Sequence, residues 1–107
     1  MIGSGLPLVS VIMPTYRRTD TLGRAIGSVL SQTYRNLELI IVNDNGGEEC
    51  FTPRVHEIVS SFSSSDSRVR LLEPSIHKNG AFARNRGVES SSGSYLAFLR
   101  RRRLVGA

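Results

Sequence analysis

The sequence predicts an α/β domain on a mostly parallel sheet, and three observations carry that prediction. Four short strand-like runs recur along the chain: VSVIM at 9–13, LELIIVN at 37–43, RVRLL at 68–72 and YLAFL at 95–99. The segments between them carry helical spacing. The strands are near-continuous in apolar character rather than alternating, the mark of strands covered on both faces. Strands alternating with helices form parallel sheets with right-handed crossovers, so the expected order is β-α-β-α-β-α-β.

Each element has its own warrant. Pro14 stops the first run, and the polar loop TYRRTDT follows with helix-start residues Thr19 and Asp20. Leu22, Ala25, Ile26, Val29 and Leu30 then make one apolar face of a helix over about 20–32. The second strand ends at the turn-like Asp44-Asn45-Gly46-Gly47. Val55, Ile58, Val59 and Phe62 line one side of a weaker helix over 53–62, and SSSDS is a loop. A third helix over 80–90 opens at Asn79-Gly80.

Length and charge narrow the class. With 107 residues, 39% hydrophobic and 21% charged, the chain fits one small globular domain. Its single cysteine, Cys50, leaves no internal disulfide and suits a reducing compartment. No apolar stretch approaches the roughly 20 residues of a membrane span, and the apolar N-terminus lacks the basic start of a signal peptide. The net charge of +5 is local, because Arg100, Arg101, Arg102 and Arg103 supply four of the fourteen basic residues. The body is near neutral, so no nucleic-acid partner is expected.

Parallel sheets of this kind bind ligands beyond the carboxyl ends of their strands, near a switch in strand order. The candidate residues are therefore those that follow strands. Pro14, Thr15 and Tyr16 offer hydroxyls and an aromatic face suited to a planar base; an ordinary strand-to-helix loop is the plainer alternative. Asp44 can accept from a nucleobase N–H or a ribose hydroxyl, or serve as a turn aspartate bonding its own backbone. In HKNGAFARNRG, Lys78, Arg84 and Arg86 place cations around a helix start. Arg84 shares a helix face with Val88, which leaves an inward reach and a solvated position equally open. Arg86 reads as a surface charge, and His56 and His77 read as surface and loop residues. No metal-ligand spacing and no glycine-rich phosphate loop is present.

In their order these segments say more than any one of them. SVIMPTYRRTDTLGRAIGSVLSQTY, LELIIVNDN and NGAFARNRGVESSSGSYLAFL together resemble the family-2 glycosyltransferases of the GT-A fold, from about Val9 to Leu99. The resemblance implies a Rossmann-like nucleotide-binding half and a UDP- or GDP-sugar donor. It implies a nucleotide-sugar site formed by Pro14, Thr15, Tyr16, Asp44 and Arg84. Two positions depart from the pattern: Asn43 stands where the family often has a first aspartate, and Arg17 where asparagine is common.

The larger departure follows the fourth strand. The family expects an Asp-x-Asp motif there, because carboxylates hold the Mg²⁺ or Mn²⁺ that neutralises the leaving diphosphate. Arg100 to Arg103 stand in its place and would repel such a cation, so a divalent metal is implied for the intact enzyme and not for this chain. Three explanations compete: a direct arginine clamp on the diphosphate, a solvated basic tail for nucleic acid or anionic lipid, and a shifted reading frame. Four CGA codons read one base out of register give GAC, aspartate, four times; suitable codons for Leu104 to Gly106 then give Trp-Trp-Gly. The frame shift alone accounts for both the arginine run and the loss of resemblance.

The expectation is thus residues 1–99 as the N-terminal part of a GT-A domain, truncated after the fourth strand, with 100–107 as an aberrant basic tail. The intact enzyme would transfer a sugar to an acceptor hydroxyl of a glycan, lipid or protein, with inversion. It would work in the cytoplasm or at a membrane surface. No residue here is nominated as catalytic base, so this fragment is expected to be inactive. A non-catalytic nucleotide-binding module and a basic-tailed interaction protein are the alternatives. Truncation is also expected to leave an unpaired edge and apolar surface at Tyr95 to Leu99.

Overall fold

A computed structural model describes residues 7–16, 19–45, 51–73, 80–99 and 104–106. Eight elements run in chain order: β1 Val9–Thr15, α1 Thr19–Leu30, β2 Leu37–Asn43, α2 Thr52–Ser63, β3 Val69–Leu72, α3 Gly80–Ser90, β4 Tyr95–Leu99 and β5 Leu104–Gly106. The seven predicted elements are all present in the predicted order. Arg17, Cys50, His77, Lys78, Asn79 and Arg100 to Arg103 lie outside the described residues.

The sheet order is β3-β2-β1-β4-β5. β1, β2, β3 and β4 pair in parallel, with Thr15 beside Asn43 and Ile12 beside Phe98. The chain winds outward from β1 to β3 and then crosses back to β4 on the other side of β1. The switch in strand order therefore falls between β1 and β4, where such sheets open a crevice at their carboxyl ends.

Alternation along the strands builds two cores. Val11, Met13, Leu39, Ile41, Val69 and Ala97 face α1 and α2, meeting Leu22, Ile26 and Val29 of the first helix and Val55, Ile58 and Val59 of the second. Ile12, Ile40 and Val42 face the opposite way and meet Ala83 of α3. Each fully buried isoleucine or valine contributes roughly 1.5–3 kcal/mol. The helical faces read from spacing are the buried ones.

Three expectations change. Pro14 does not stop β1, which runs on to Thr15. Thr15 turns its carbonyl toward β2, where it accepts from the Asp44 N–H. Pro14, one residue earlier, thus turns its missing donor away from β2, and no bond of that ladder is lost. Among the described side chains of α3 the buried positions are Ala83 and Gly87, while Arg84 is exposed. A Cβ on Gly87 would overlap the Ile12 Cγ2 methyl and lie 3.4 Å from Val42 Cγ2, so the helix backbone rides too close to the sheet for an arginine to reach inward there. Finally, the β4 edge is not bare, because Ala97, Phe98 and Leu99 pair antiparallel with β5. Apolar surface does remain: a cavity of ≈ 410 Å³ opens over β1 and β4, lined by Pro7, Val9, Val11, Tyr34, Tyr95 and Ala97, and Tyr95 is exposed.

A polar cluster fastens the amino-terminal end of the sheet. Ser10 Oγ donates to Glu38 Oε2 at 2.5 Å, the Ser92 N–H donates to the same oxygen at 2.6 Å, and Arg70 Nη2 donates to Glu38 Oε1 at 3.2 Å and to the Ser90 carbonyl at 2.7 Å. The Gly93 N–H donates to Ser10 Oγ at 2.8 Å. Burial raises the Glu38 pKa, but the donors from Ser10, Ser92 and Arg70 outweigh it and hold the carboxyl below its ordinary range. The cluster ties the loop after α3 to β1 and β2, and so sets where β4 begins.

Candidate functional site at the carboxyl ends of β1 and β2

Register brings the predicted residues together. Thr15 closes β1 beside Asn43, which closes β2. The Asp44 N–H donates to the Thr15 carbonyl at 2.9 Å, so the chain leaves β2 pressed against the end of β1. Pro14 is half-buried one residue earlier, and Tyr16 stands exposed one residue later. Thr15 and Asp44 are buried, at 4% and 2% exposure. The Thr15 hydroxyl is buried with no hydrogen-bond partner among the described residues. A buried hydroxyl without a partner costs about 1–3 kcal/mol, which a polar ligand at the strand ends would relieve.

Asn43 and Asn45, the neighbours of Asp44, were given no site role from the sequence. Asn43 Oδ1 accepts from the Asn45 N–H at 3.2 Å and from Asn45 Nδ2 at 2.7 Å. Asn43 Nδ2 donates to Thr52 Oγ1 at 3.3 Å, at the start of α2. Asn43 thus closes an Asx turn of its own, and Asp44 sits at the apex of that turn. The signal was present in Asn-Asp-Asn after an apolar strand, where any of the three side chains could close the turn.

Arg84 does not join this group as an inward-facing residue: it lies exposed in the second turn of α3. Its helix packs on Ile12, Ile40 and Val42 through Ala83 and Gly87. Arg86 pairs with Glu89 on the surface at 2.9 Å, as a solvated charge should. His56 contacts Glu73, joining α2 to the residue after β3.

The donor set does not suit a divalent cation. Of residues 15, 43, 44 and 45, only Asp44 carries a carboxylate, and hard cations require several oxygen ligands. Among the described residues no three His, Cys, Asp or Glu side chains gather as a metal site. The segment after β4 carries guanidinium groups, which cannot ligate a metal.

A hydroxyl, an aromatic ring and a carboxylate at adjoining strand ends match what a nucleotide pocket needs. The profile of Glycosyl transferase family 2 matches residues 10–99, which include all of these. The chain belongs to glycosyl transferase family 2. The match stops at Leu99, and the next residue is Arg100. Relatives in this family include an uncharacterized glycosyltransferase of Haemophilus influenzae, 37% identical over 94 residues, which are 88% of this chain and 36% of that protein. A UDP-Glc:alpha-D-GlcNAc-diphosphoundecaprenol beta-1,3-glucosyltransferase of Escherichia coli is 38% identical over 86% of this chain and 34% of its own. A mannosyltransferase from Pyrobaculum calidifontis, solved in complex with GDP-Man and Mn²⁺, superposes with a TM-score of 0.71 over 87% of this chain and 27% of its own. At 22% identity that likeness shows a shared GT-A-like fold. The chain thus spans about a third of the length of these family members.

Proposed function

We propose that this chain is the donor-binding part of a family-2 glycosyltransferase. The Asp44 N–H bond to the Thr15 carbonyl carries the proposal, since it seats the residue that bears the predicted carboxylate beside Thr15 at the carboxyl ends of β1 and β2. In this reading a UDP- or GDP-sugar lies across the strand ends. Tyr16 offers its ring to the base, Asp44 accepts from a base N–H or ribose hydroxyl, Thr15 supplies a polar contact, and Arg84 approaches from α3 as a cation toward the diphosphate. The Escherichia coli relative is named for transfer from UDP-Glc to a lipid-linked diphosphate. UDP is therefore the first ligand to try.

The intact activity would transfer the sugar to an acceptor hydroxyl with inversion, which requires a base to take the acceptor's proton as it attacks the anomeric carbon. None of the described site residues fills that role. A divalent cation would supply charge neutralisation at the diphosphate, and the residues present do not fit one. We therefore read this chain as binding the donor without turning it over. The acceptor would be a glycan, lipid or protein. Among the described residues no helix is long and apolar enough to cross a membrane, and we place the protein in the cytoplasm or at a membrane surface.

Two experiments test this reading. A thermal melt of the chain with saturating UDP- or GDP-sugar should rise, because a ligand that binds the folded state stabilises it by mass action. A folded chain with an unmoved melt contradicts donor binding. Reading the DNA from codon 99 to codon 107 tests the frame shift: CGA codons with an Asp-rich alternative frame support it, and other arginine codons exclude it.

A further inference from the structure

We propose that Asn43 is a positioning residue for Asp44, and that its amide holds the site in shape from two sides. This rests on the nucleotide-pocket reading of the β1–β2 strand ends. Asn43 is 1% exposed, and both ends of its amide are engaged. The carbonyl oxygen closes the turn over Asp44 by accepting twice from Asn45. The amide nitrogen reaches Thr52 and tethers that turn to the first residue of α2. The Asp44 N–H is held at the same time by Thr15. A side chain at residue 44 is fixed from before, after and beside, though Asn43 itself need touch no ligand.

The arrangement also accounts for the departure at this position. An aspartate at 43 keeps an acceptor for Asn45, and its second oxygen can accept from the Thr52 hydroxyl, which is able to reverse its role from acceptor to donor. Asparagine and aspartate therefore close the same turn. Alanine closes neither side of it.

The test is calorimetric titration of the full chain with UDP and with GDP, using Asn43→Ala, Asn43→Asp, Asp44→Ala and the double variant Asn43→Ala/Asp44→Ala. Asn43→Ala should weaken nucleotide binding by about tenfold or more, as misplacement of a contact group does, and Asn43→Asp should recover it to within about threefold. In the Asp44→Ala background, Asn43→Ala should cost nothing further, because its effect passes through Asp44. Thr52→Val cuts the tether from α2 without altering β2, and should show the same dependence on Asp44 if Asn43→Ala fails to fold. Binding unchanged in Asn43→Ala, or losses that simply add to that of Asp44→Ala, would overturn the positioning role alone. A wild-type chain that binds neither nucleotide would overturn the pocket reading, and the role of Asn43 with it.

Discussion

The Asp44 N–H meets the Thr15 carbonyl at 2.9 Å, tying the residue after β2 to the last residue of β1. This bond belongs to the backbone, so it survives changes to the Asp44 side chain. Asp44→Asn keeps the shape and removes the charge. A hydrogen bond to a charged group contributes about 1.5–3 kcal/mol, so affinity for the recognised nucleotide should fall about 10- to 100-fold. Calorimetry reads the loss, and a circular-dichroism melt close to that of the wild type shows the fold intact.

Gly87 is where α3 lies against the sheet. Gly87→Ala forces a methyl group into the Ile12 side chain, which is fully buried and cannot swing aside. Overpacking of this kind costs about 1–3 kcal/mol. Urea unfolding should show a lower midpoint with an unchanged slope. Gly93→Ala should destabilise for a similar reason, because its Cβ would fall 2.5 Å from Ser10 Oγ and 2.7 Å from the Leu8 carbonyl.

Two carboxylates set the acid limb of stability. Hydrogen bonds from the Arg68 side chain and backbone pull the Asp66 carboxyl down to about 2 from its ordinary 3.8. Glu38 lies below its ordinary 4.5, burial being outweighed by Ser10, Ser92 and Arg70. A depressed folded-state pKa stabilises the fold fully above the ordinary value and loses that contribution as pH falls through the folded one. Stability should thus decline below about pH 4.5 and continue falling toward pH 2. Urea midpoints measured across that range should fall less steeply in Glu38→Gln at the upper end and in Asp66→Asn at the lower end.

The arginine run makes a prediction about metal. Nucleotide affinity of the natural chain should be the same with Mn²⁺ and with EDTA. Replacing Arg100, Arg101, Arg102 and Arg103 by aspartate introduces hard oxygen ligands in the segment that follows β4 in sequence, and binding should then strengthen with Mn²⁺. Calorimetry with and without the metal compares the two proteins.

Much of this was legible in the sequence, because burial follows apolar spacing. Leu22, Ile26 and Val29 could be assigned to one helix face without coordinates, and the sheet's carboxyl ends followed from strand-helix alternation. The misreadings have local causes. Pro14 reads as a strand stop unless one knows which way its missing N–H points. Arg84 is open between an inward and a solvated position in the sequence, and it is Gly87, riding close on Ile12, that decides for the solvated one. The part of Asn43 depends on three side chains meeting across a chain reversal, and spacing alone does not say which of Asn43, Asp44 and Asn45 closes a turn.

The pocket itself is tested most directly by following backbone amide resonances of the full 107-residue chain during titration with UDP and with GDP. Saturable shifts at Thr15, Tyr16, Asp44 and Asn45, displaced to about 10- to 100-fold higher nucleotide concentration by Asp44→Asn, are the predicted result. A folded chain whose resonances do not move with either nucleotide, or whose shifts gather instead around His56 and Glu73, would contradict it.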